Sequence, residues 1–336
     1  MLKKVIVLMG GPSFEHEVSL TSGQAIYNAL MKSDTYDPYK VIIDKKGHFQ
    51  EPEFYKNCDF AFIALHGPFG EDGTIQGFLE TINIPYSGAG VLASAIAMDK
   101  EITRRVLIAE GIRTVPTLFY HKFNSHKDIS NIKNDIEKNF GFPCVVKTPV
   151  SGSSIGVSIV DNFSGLEEGI NLALEFGNRF MIEEYMTLEY LEGKEIECGI
   201  LGNEDPRALS LCELVPKKRY YDYEAKYTEG FTDFYIPARL PEEKIKEAQE
   251  ISIKAYQAIG SEGFARVDMY MKKDNIFVGE INTIPGFTPI SVFPMLAKQE
   301  GISFTELVEE IIKFGYESFA RKKIFKSSFL KYPSKT

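Results

Sequence analysis

The sequence predicts an α/β protein whose later parts turn α+β, and three observations carry that reading. Within the first hundred residues short apolar runs alternate with helical periodicities, which implies a parallel sheet with crossovers. Beyond them, strand-length runs follow one another with fewer helices between, which implies small α+β units. Finally, 44% of the 336 residues are apolar and 25% charged, which supplies a sizeable core for two or three domains and excludes disordered or fibrous classes.

Taken in order, Val5–Met9 and Phe60–Leu65 read as buried strands, with Lys40–Ile43 as a third. Val18, Ile26 and Leu30 fit one amphipathic helix; Ile75, Phe78, Leu79 and Ile82 fit another. Asp99 is an N-cap candidate for a helix running through Ile102, Val106 and Leu107 to the Gly111 stop. A second block comprises strand Val115–Tyr120, a helix around Ile129, Ile132 and Ile136, and strand Pro143–Lys147. A glycine-serine loop, strand Gly156–Val160, helix Leu166–Phe176 and strand Arg179–Met186 close it. The third block has strands near Glu195–Leu201 and Ala208–Val215, a tyrosine-rich stretch, and a helix over Glu242–Ile259. A strand pair, Phe264–Met271 and Ile276–Asn282, precedes a last helix over Phe304–Phe319; the basic stretch after Arg321 reads as a frayed tail.

Composition narrows function. The net charge is −9 with no dense basic stripe, which argues against nucleic acid and anionic membranes as partners but leaves room for a local anion pocket. Cys58, Cys144, Cys198 and Cys212 are widely spaced, without CxxC, and read as core residues in a reducing compartment. The opening Met1–Met9 has too short an apolar run for a signal peptide. The uncharged run Thr81–Met98 contains Asn83, Pro85, Gly88 and Gly90, so it is no spanning helix. A cytoplasmic protein is expected.

Chemistry is most legible around Lys272–Asn275. Alternation along a strand puts Arg266 and Asp268 on one face, with Val267, Met269 and Met271 on the other; Glu280 and Asn282 share a face opposite Phe277 and Ile281. A three-residue loop, Lys273-Asp274-Asn275, sets Asp268 opposite Glu280 and Arg266 opposite Asn282. Two carboxylates and an amide oxygen so placed suit Mg²⁺ completed by substrate phosphates; a polar sheet face with an Arg–Glu ion pair is the alternative. In Val145–Gly156, Lys147 ends a strand before a loop of small residues, fit to cradle phosphate or simply to form a flexible hairpin. Lys217–Tyr227 packs four tyrosines and four basic residues into eleven positions, which fits a lid or an oligomer contact. Gly10–Glu15 and His66–Gly73 both follow strands at the sheet edge where ligands bind. There Glu15 suits an ammonium group or merely a helix dipole, and His66 a ligand or structural role.

Together these stretches resemble the ATP-grasp enzymes, and within them the D-alanine–D-alanine ligases. The resemblance rests on GGPSFEHEVSLTSG (10–23), ALHGPFGEDGTIQG (64–77), MDKEITRRVL (98–107), YDYEAKY (221–227), ARVDMY (265–270) and EINTIPGFTPISVFP (280–294), in order from Lys3 to about Ala320. It implies an N-terminal open parallel α/β substrate-binding domain (1–97), a central ATP-grasp subdomain (98–187) and a C-terminal metal-binding one (188–320), with a basic tail (321–336). ATP would be sandwiched between the later two. Lys100, Lys147 and Lys226 would hold phosphates; Asp268, Glu280 and Asn282 would bind two Mg²⁺ or Mn²⁺. Glu183, Glu184, Met186 and Glu195 would face adenine and ribose, with Glu189 the substitute for Glu183 in a linker longer than the family's. Glu15, with Ser153 and Tyr227, would grip the first D-alanine; Arg266 and the Gly286 N–H would face the oxyanion. Ser291 would meet the second carboxylate, with His66 close by. The family usually has Lys-Pro where this chain has Lys147-Thr148-Pro149, and Leu where it has Val292.

The resemblance implies ATP-dependent joining of two D-alanines through an acyl phosphate, for peptidoglycan, by a homodimer. Tyr227 points to a dipeptide product. D-serine or another small acceptor is one alternative; a regulator without catalysis is another, though the phosphate lysines and metal ligands are all present. A dehydrogenase lacks the GxGxxG fingerprint after the first strand.

Overall fold

β1 (Lys3–Gly10) is apolar from Val5 onward because both its faces are buried, Val5, Val7 and Met9 in one core and Ile6 and Leu8 in another, while β2 (Tyr36–Ile43) and β3 (Phe60–Ile63) pair with it in parallel at its two edges. The computed structural model describes residues 2–48, 50, 52–121, 129–150, 152, 155–187, 193–217 and 231–329, without the side chains of 52, 53 and 324–329. Helices α1 (His16–Leu30), α2 (Pro52–Tyr55), α3 (Thr74–Thr81) and α4 (Val91–Met98) accompany this sheet. Gly10 leaves β1 at φ 91°, where a Cβ would strike the Ile43 carbonyl; only glycine lets the chain turn there into the first loop.

Helix α5 (Lys100–Ala109) opens as expected: the Asp99 carboxylate accepts from the N–H groups of Glu101 (3.1 Å) and Ile102 (3.2 Å). Its buried face, however, is Lys100, Glu101, Thr103, Arg104 and Leu107, while Ile102 is exposed. The charged face turns inward because each charge meets a partner there. After α5 the chain lies beside the strand at residues 275–282, where Val278 donates to the Arg113 carbonyl (2.9 Å).

A four-stranded antiparallel sheet follows, β4 (Thr117–His121), β5 (Cys144–Lys147), β6 (Ser158–Val160) and β7 (Arg179–Glu184), in the order β4-β7-β5-β6. With α6 (Ile129–Asn139) and α7 (Leu166–Glu175) it encloses its own core of Ile132, Ile136, Val146, Ile170, Phe180 and Ile182.

The third sheet is antiparallel, in the order β10-β9-β8-β11-β12, from β8 (Lys194–Leu201), β9 (Arg207–Pro216), β10 (Thr232–Tyr235), β11 (Phe264–Lys272) and β12 (Asn275–Asn282). Helix α8 (Glu242–Ala258) covers one face, packing on Ile196, Val267, Met269 and Ile281. The other face is divided. One half packs under α9 (Val292–Gln299) and α10 (Phe304–Phe329) in a core shared with the first sheet, so Val5, Val7 and Ile26 belong with Phe264, Phe293 and Ile311. The other half is charged.

The β11–β12 hairpin departs from expectation in two compensating ways. Its turn has two residues, Lys273 and Asp274 at φ 47° and 62°, because Lys272 pairs with Asn275. A bulge then leaves Gly279 out of the ladder, which restores Asp268 opposite Glu280 and Arg266 opposite Asn282. The bulge also switches the alternation, so Ile276 and Val278 enter the core and Phe277 pairs with Tyr270 on the charged face, not opposite it. Helix α10 runs on to Phe329, past the expected end, since Arg321 pairs with Glu262 (2.5 Å) and Lys322 with Glu80 (2.5 Å).

Candidate active site

The charged half of the third sheet is a grid of three strands. β8, β11 and β12 contribute one row of Glu197, Asp268 and Glu280, with Gly199, Arg266 and Asn282 on one side of it and Glu195, Tyr270 and Phe277 on the other. Arg266 forks onto Asp268, Nε to Oδ1 at 2.6 Å and Nη2 to Oδ2 at 2.8 Å, and its Nε also lies 3.0 Å from Glu197. The Asn282 amide donates to Asp268 Oδ2 at 2.7 Å. Tyr270 has its hydroxyl pushed well above the usual range by Glu195 first, then by burial and by Glu183, Glu280 and Asp268. Among the described residues no three His, Cys, Asp or Glu side chains form a ready metal cage. Two carboxylates and an amide in one patch suit a hard cation that takes its remaining oxygens from a substrate.

Two lysines reach this grid from other elements. Lys100, at the start of α5, places Nζ 3.0 Å from Glu280, and its backbone N–H donates to the Pro149 carbonyl (3.0 Å). Arg179 of β7 grips its two neighbours, Asp99 at 2.6 Å and Glu101 at 2.9 Å. Lys147, the last residue of β5, lies 2.5 Å from Glu183, whose other oxygen takes Arg104 at 2.6 Å. Burial pulls the Lys147 ammonium below its usual range, with Glu183 opposing and Arg104 and Lys100 reinforcing. For Glu183 burial works against the charge, but Lys147 and Arg104 outweigh it and hold the carboxyl below its usual range. Glu184 pairs with Lys272 across the cleft between sheets, and Met186 is buried just beyond β7.

A second cluster lies at the first sheet's edge. Glu15, buried to 8% exposure, packs against two glycines: a Cβ on Gly67 or on Gly152 would stand 2.6 or 2.9 Å from its carboxylate. It does not cap α1 by a side-chain hydrogen bond. His66 is buried with Nδ1 3.0 Å from the Ile284 carbonyl and Nε2 2.9 Å from Ser22 Oγ. Burial opposes its charge, but Glu71, Glu15 and that carbonyl outweigh it and raise its pKa. Ser291 Oγ accepts from the Thr288 N–H (3.1 Å) and would stand 3.2 Å from a Cβ on Gly286, so these two adjoin. The segment from Asn282 through Ile284 to Gly286 links the two clusters.

A family model described as D-ala D-ala ligase C-terminus matches residues 106–313, and one described as D-ala D-ala ligase N-terminus matches 4–57 and 48–89. The chain belongs to the D-alanine–D-alanine ligase family. It is 44% identical to the D-alanine–D-alanine ligase of Carboxydothermus hydrogenoformans, over 94% of this chain and 98% of that one. To that of Pelotomaculum thermopropionicum it is 41% identical, over 95% and 98%. The structure of the Coxiella burnetii D-alanine–D-alanine ligase superposes with a TM-score of 0.85 at 27% identity, covering 98% of this chain and 99% of that one. The VanG D-Ala:D-Ser ligase of Enterococcus faecalis gives 0.80 at 30% identity, covering 94% and 100%. The fold is the ATP-grasp fold, and the family depends on ATP and uses Mg²⁺.

Of the ligase residues expected from sequence, the structure gathers Lys100, Lys147, Glu183, Glu195, Arg266, Asp268, Glu280 and Asn282 around the grid, and Glu15, His66, Gly286 and Ser291 around the second cluster. Ser153, Glu189, Lys226 and Tyr227 lie outside the described residues, as does most of 217–227. Sequence reasoning missed Glu197, Arg104, Glu71 and Arg179. A signal existed for Glu197, which shares a strand face with Glu195 two residues earlier. Arg104 gave none, because its helix reads as exposed on that side.

Proposed function

We propose that this protein joins two D-alanines into D-alanyl-D-alanine at the cost of ATP, supplying a peptidoglycan precursor. The observation that carries the reading is the hairpin register, which sets Asp268 beside Glu280 and Arg266 beside Asn282, facing Lys100 and Lys147. ATP lies between the central unit (98–187) and the C-terminal unit (188–320), its adenine and ribose against Glu183, Glu184, Met186 and Glu195, with Glu183 also steadying Lys147. Lys100, Lys147 and Lys226 bind its phosphates as positive points. Asp268, Glu280 and Asn282 would hold Mg²⁺, which would supply positive charge against the phosphates.

Glu15, with Ser153 and Tyr227, grips the ammonium of the first D-alanine in the N-terminal unit (1–97). Its carboxylate oxygen attacks the γ-phosphorus as the bond to the ADP oxygen breaks, leaving ADP and an acyl phosphate. The amine of the second D-alanine, its carboxylate on Ser291 and His66 nearby, then attacks the acyl carbon. Arg266 and the Gly286 N–H stabilise the charge developing on oxygen. Collapse breaks the carbon–oxygen bond to phosphate, which leaves with the proton lost from the amine nitrogen, and gives the dipeptide. Tyr227 favours an amine acceptor; a cytoplasmic homodimer completes the proposal. No helix among the described residues is long and apolar enough to cross a membrane.

Glu280→Gln tests the site. The account expects a loss of roughly 10²-fold or more in turnover, since charge neutralisation of several kcal/mol is at stake, with unchanged thermal unfolding. Full activity in Glu280→Gln would remove the metal site from this hairpin.

A further inference from the structure

Glu197 is 1% exposed, on the interior strand β8, in the same row as Asp268 and Glu280. A carboxylate that deeply buried needs a cation, and Arg266 supplies one by charge, its Nε 3.0 Å from Glu197 Oε2 while the single Nε–H is given to Asp268 Oδ1. The same guanidinium is also forked onto Asp268 at 2.6 and 2.8 Å. One arginine therefore sits between two carboxylates, and only one of them is a proposed cation ligand.

That division has a chemical consequence. Asp268 accepts three hydrogen bonds on its two oxygens, two from Arg266 and one from Asn282, near the limit of about four for a carboxylate. Cation binding at Asp268 therefore competes with Arg266. An arginine anchored on Asp268 alone would lose its hold as the site is loaded, just before its charge is needed at the oxyanion. An anchor that takes no part in cation binding removes this conflict.

We infer that Glu197 is that anchor, a positioning residue that holds the Arg266 guanidinium toward the reacting carbonyl while Asp268 is given over to the cation. The inference rests on the ligase reading above. It adds a residue that touches neither substrate nor metal and acts only through Arg266.

The test compares wild type, Glu197→Asp and Glu197→Gln. Aspartate keeps the charge but withdraws the oxygen by a methylene, so it separates anchoring from charge. A misplacement on the order of 1 Å costs about 10²-fold, so kcat should fall by about that factor in Glu197→Asp while the KM for ATP moves little. Mn²⁺ binding in saturating ADP, followed by electron paramagnetic resonance of the free ion, should weaken about tenfold, because an arginine left with Asp268 alone competes harder there. In a double-mutant cycle, Glu197→Asp should not slow Arg266→Ala further. Wild-type kcat and Mn²⁺ affinity in Glu197→Asp would overturn the inference, as would a full additive loss on Arg266→Ala. A purely structural role would lower the melting temperature and the active fraction but leave Mn²⁺ affinity unchanged, and that also overturns it. Glu197→Gln, nearly isosteric, takes the same measurements if the aspartate variant fails to fold. Wild-type turnover of D-alanine is run alongside: its absence sinks the ligase reading, whereas intact turnover with an unaffected Glu197→Asp sinks only this inference.

Discussion

Glu183 carries two cations in a buried setting, Lys147 on one oxygen and Arg104 on the other. For Lys147 the largest influence is burial, which lowers its pKa, and Glu183 is the group that opposes this. In its proposed role the lysine binds phosphate only when charged, which holds below its folded pKa and fails as the pH rises through it. Removing the opposing carboxylate lowers that pKa further. In Glu183→Gln the rise in KM for ATP should therefore begin at lower pH than in wild type; superimposable pH profiles would show that Glu183 does not tune the lysine. Lys147 was legible because it ends a strand before a loop of small residues. Its support was not, because Arg104 reads as part of an ordinary charged helix surface and only packing reveals that this surface is inside.

At the scale of elements, the β11–β12 hairpin shows how a correct register can follow from an incorrect turn. Three loop residues and a two-residue turn plus a bulge give the same pairing at Asp268, so strand alternation alone set Asp268 opposite Glu280 but misplaced Phe277. The two-residue turn places Lys273 and Asp274 at positive φ, a conformation that favours Asn-Gly. Replacing the pair by Asn-Gly should raise stability by roughly 0.5–1 kcal/mol, the relief of left-handed strain less the entropy cost of glycine. Lys244 bonds the Asp274 backbone carbonyl, a contact the glycine retains. Thermal unfolding checks this; a lower melting temperature or altered turnover would mean that the turn is tied to the site. Helix α5 was legible in position from its Asp99 cap but not in orientation, since its inward face is polar and satisfied by distant partners.

Across the whole molecule, the strands that are apolar runs bounded by loops, and their order along the chain, followed from periodicity and turn signals, whereas β10, Thr-Asp-Phe-Tyr, carries no such run and was not expected. The division of cores did not follow from them either. The first sheet and the third share one core through α9 and α10, so the first and last parts of the chain form a frame, while the β4–β7 sheet keeps its own. Among the described residues, contacts that cross the cleft include Glu15 against Gly152, Phe14 edge-on to Phe176 at 6.2 Å, Lys272 with Glu184 and Lys100 with Glu280. Lys100 and Lys147 sit on one side of that cleft and Asp268 and Glu280 on the other, an arrangement that suits a nucleotide held between them. The most direct measurement is incubation of the purified protein with ATP, Mg²⁺ and D-alanine, following ADP release and the stereochemistry of the product. ADP release should depend on D-alanine and not on L-alanine, with D-alanyl-D-alanine as the product. ADP release indifferent to D-alanine, or a product lacking the D,D-dipeptide, would contradict it.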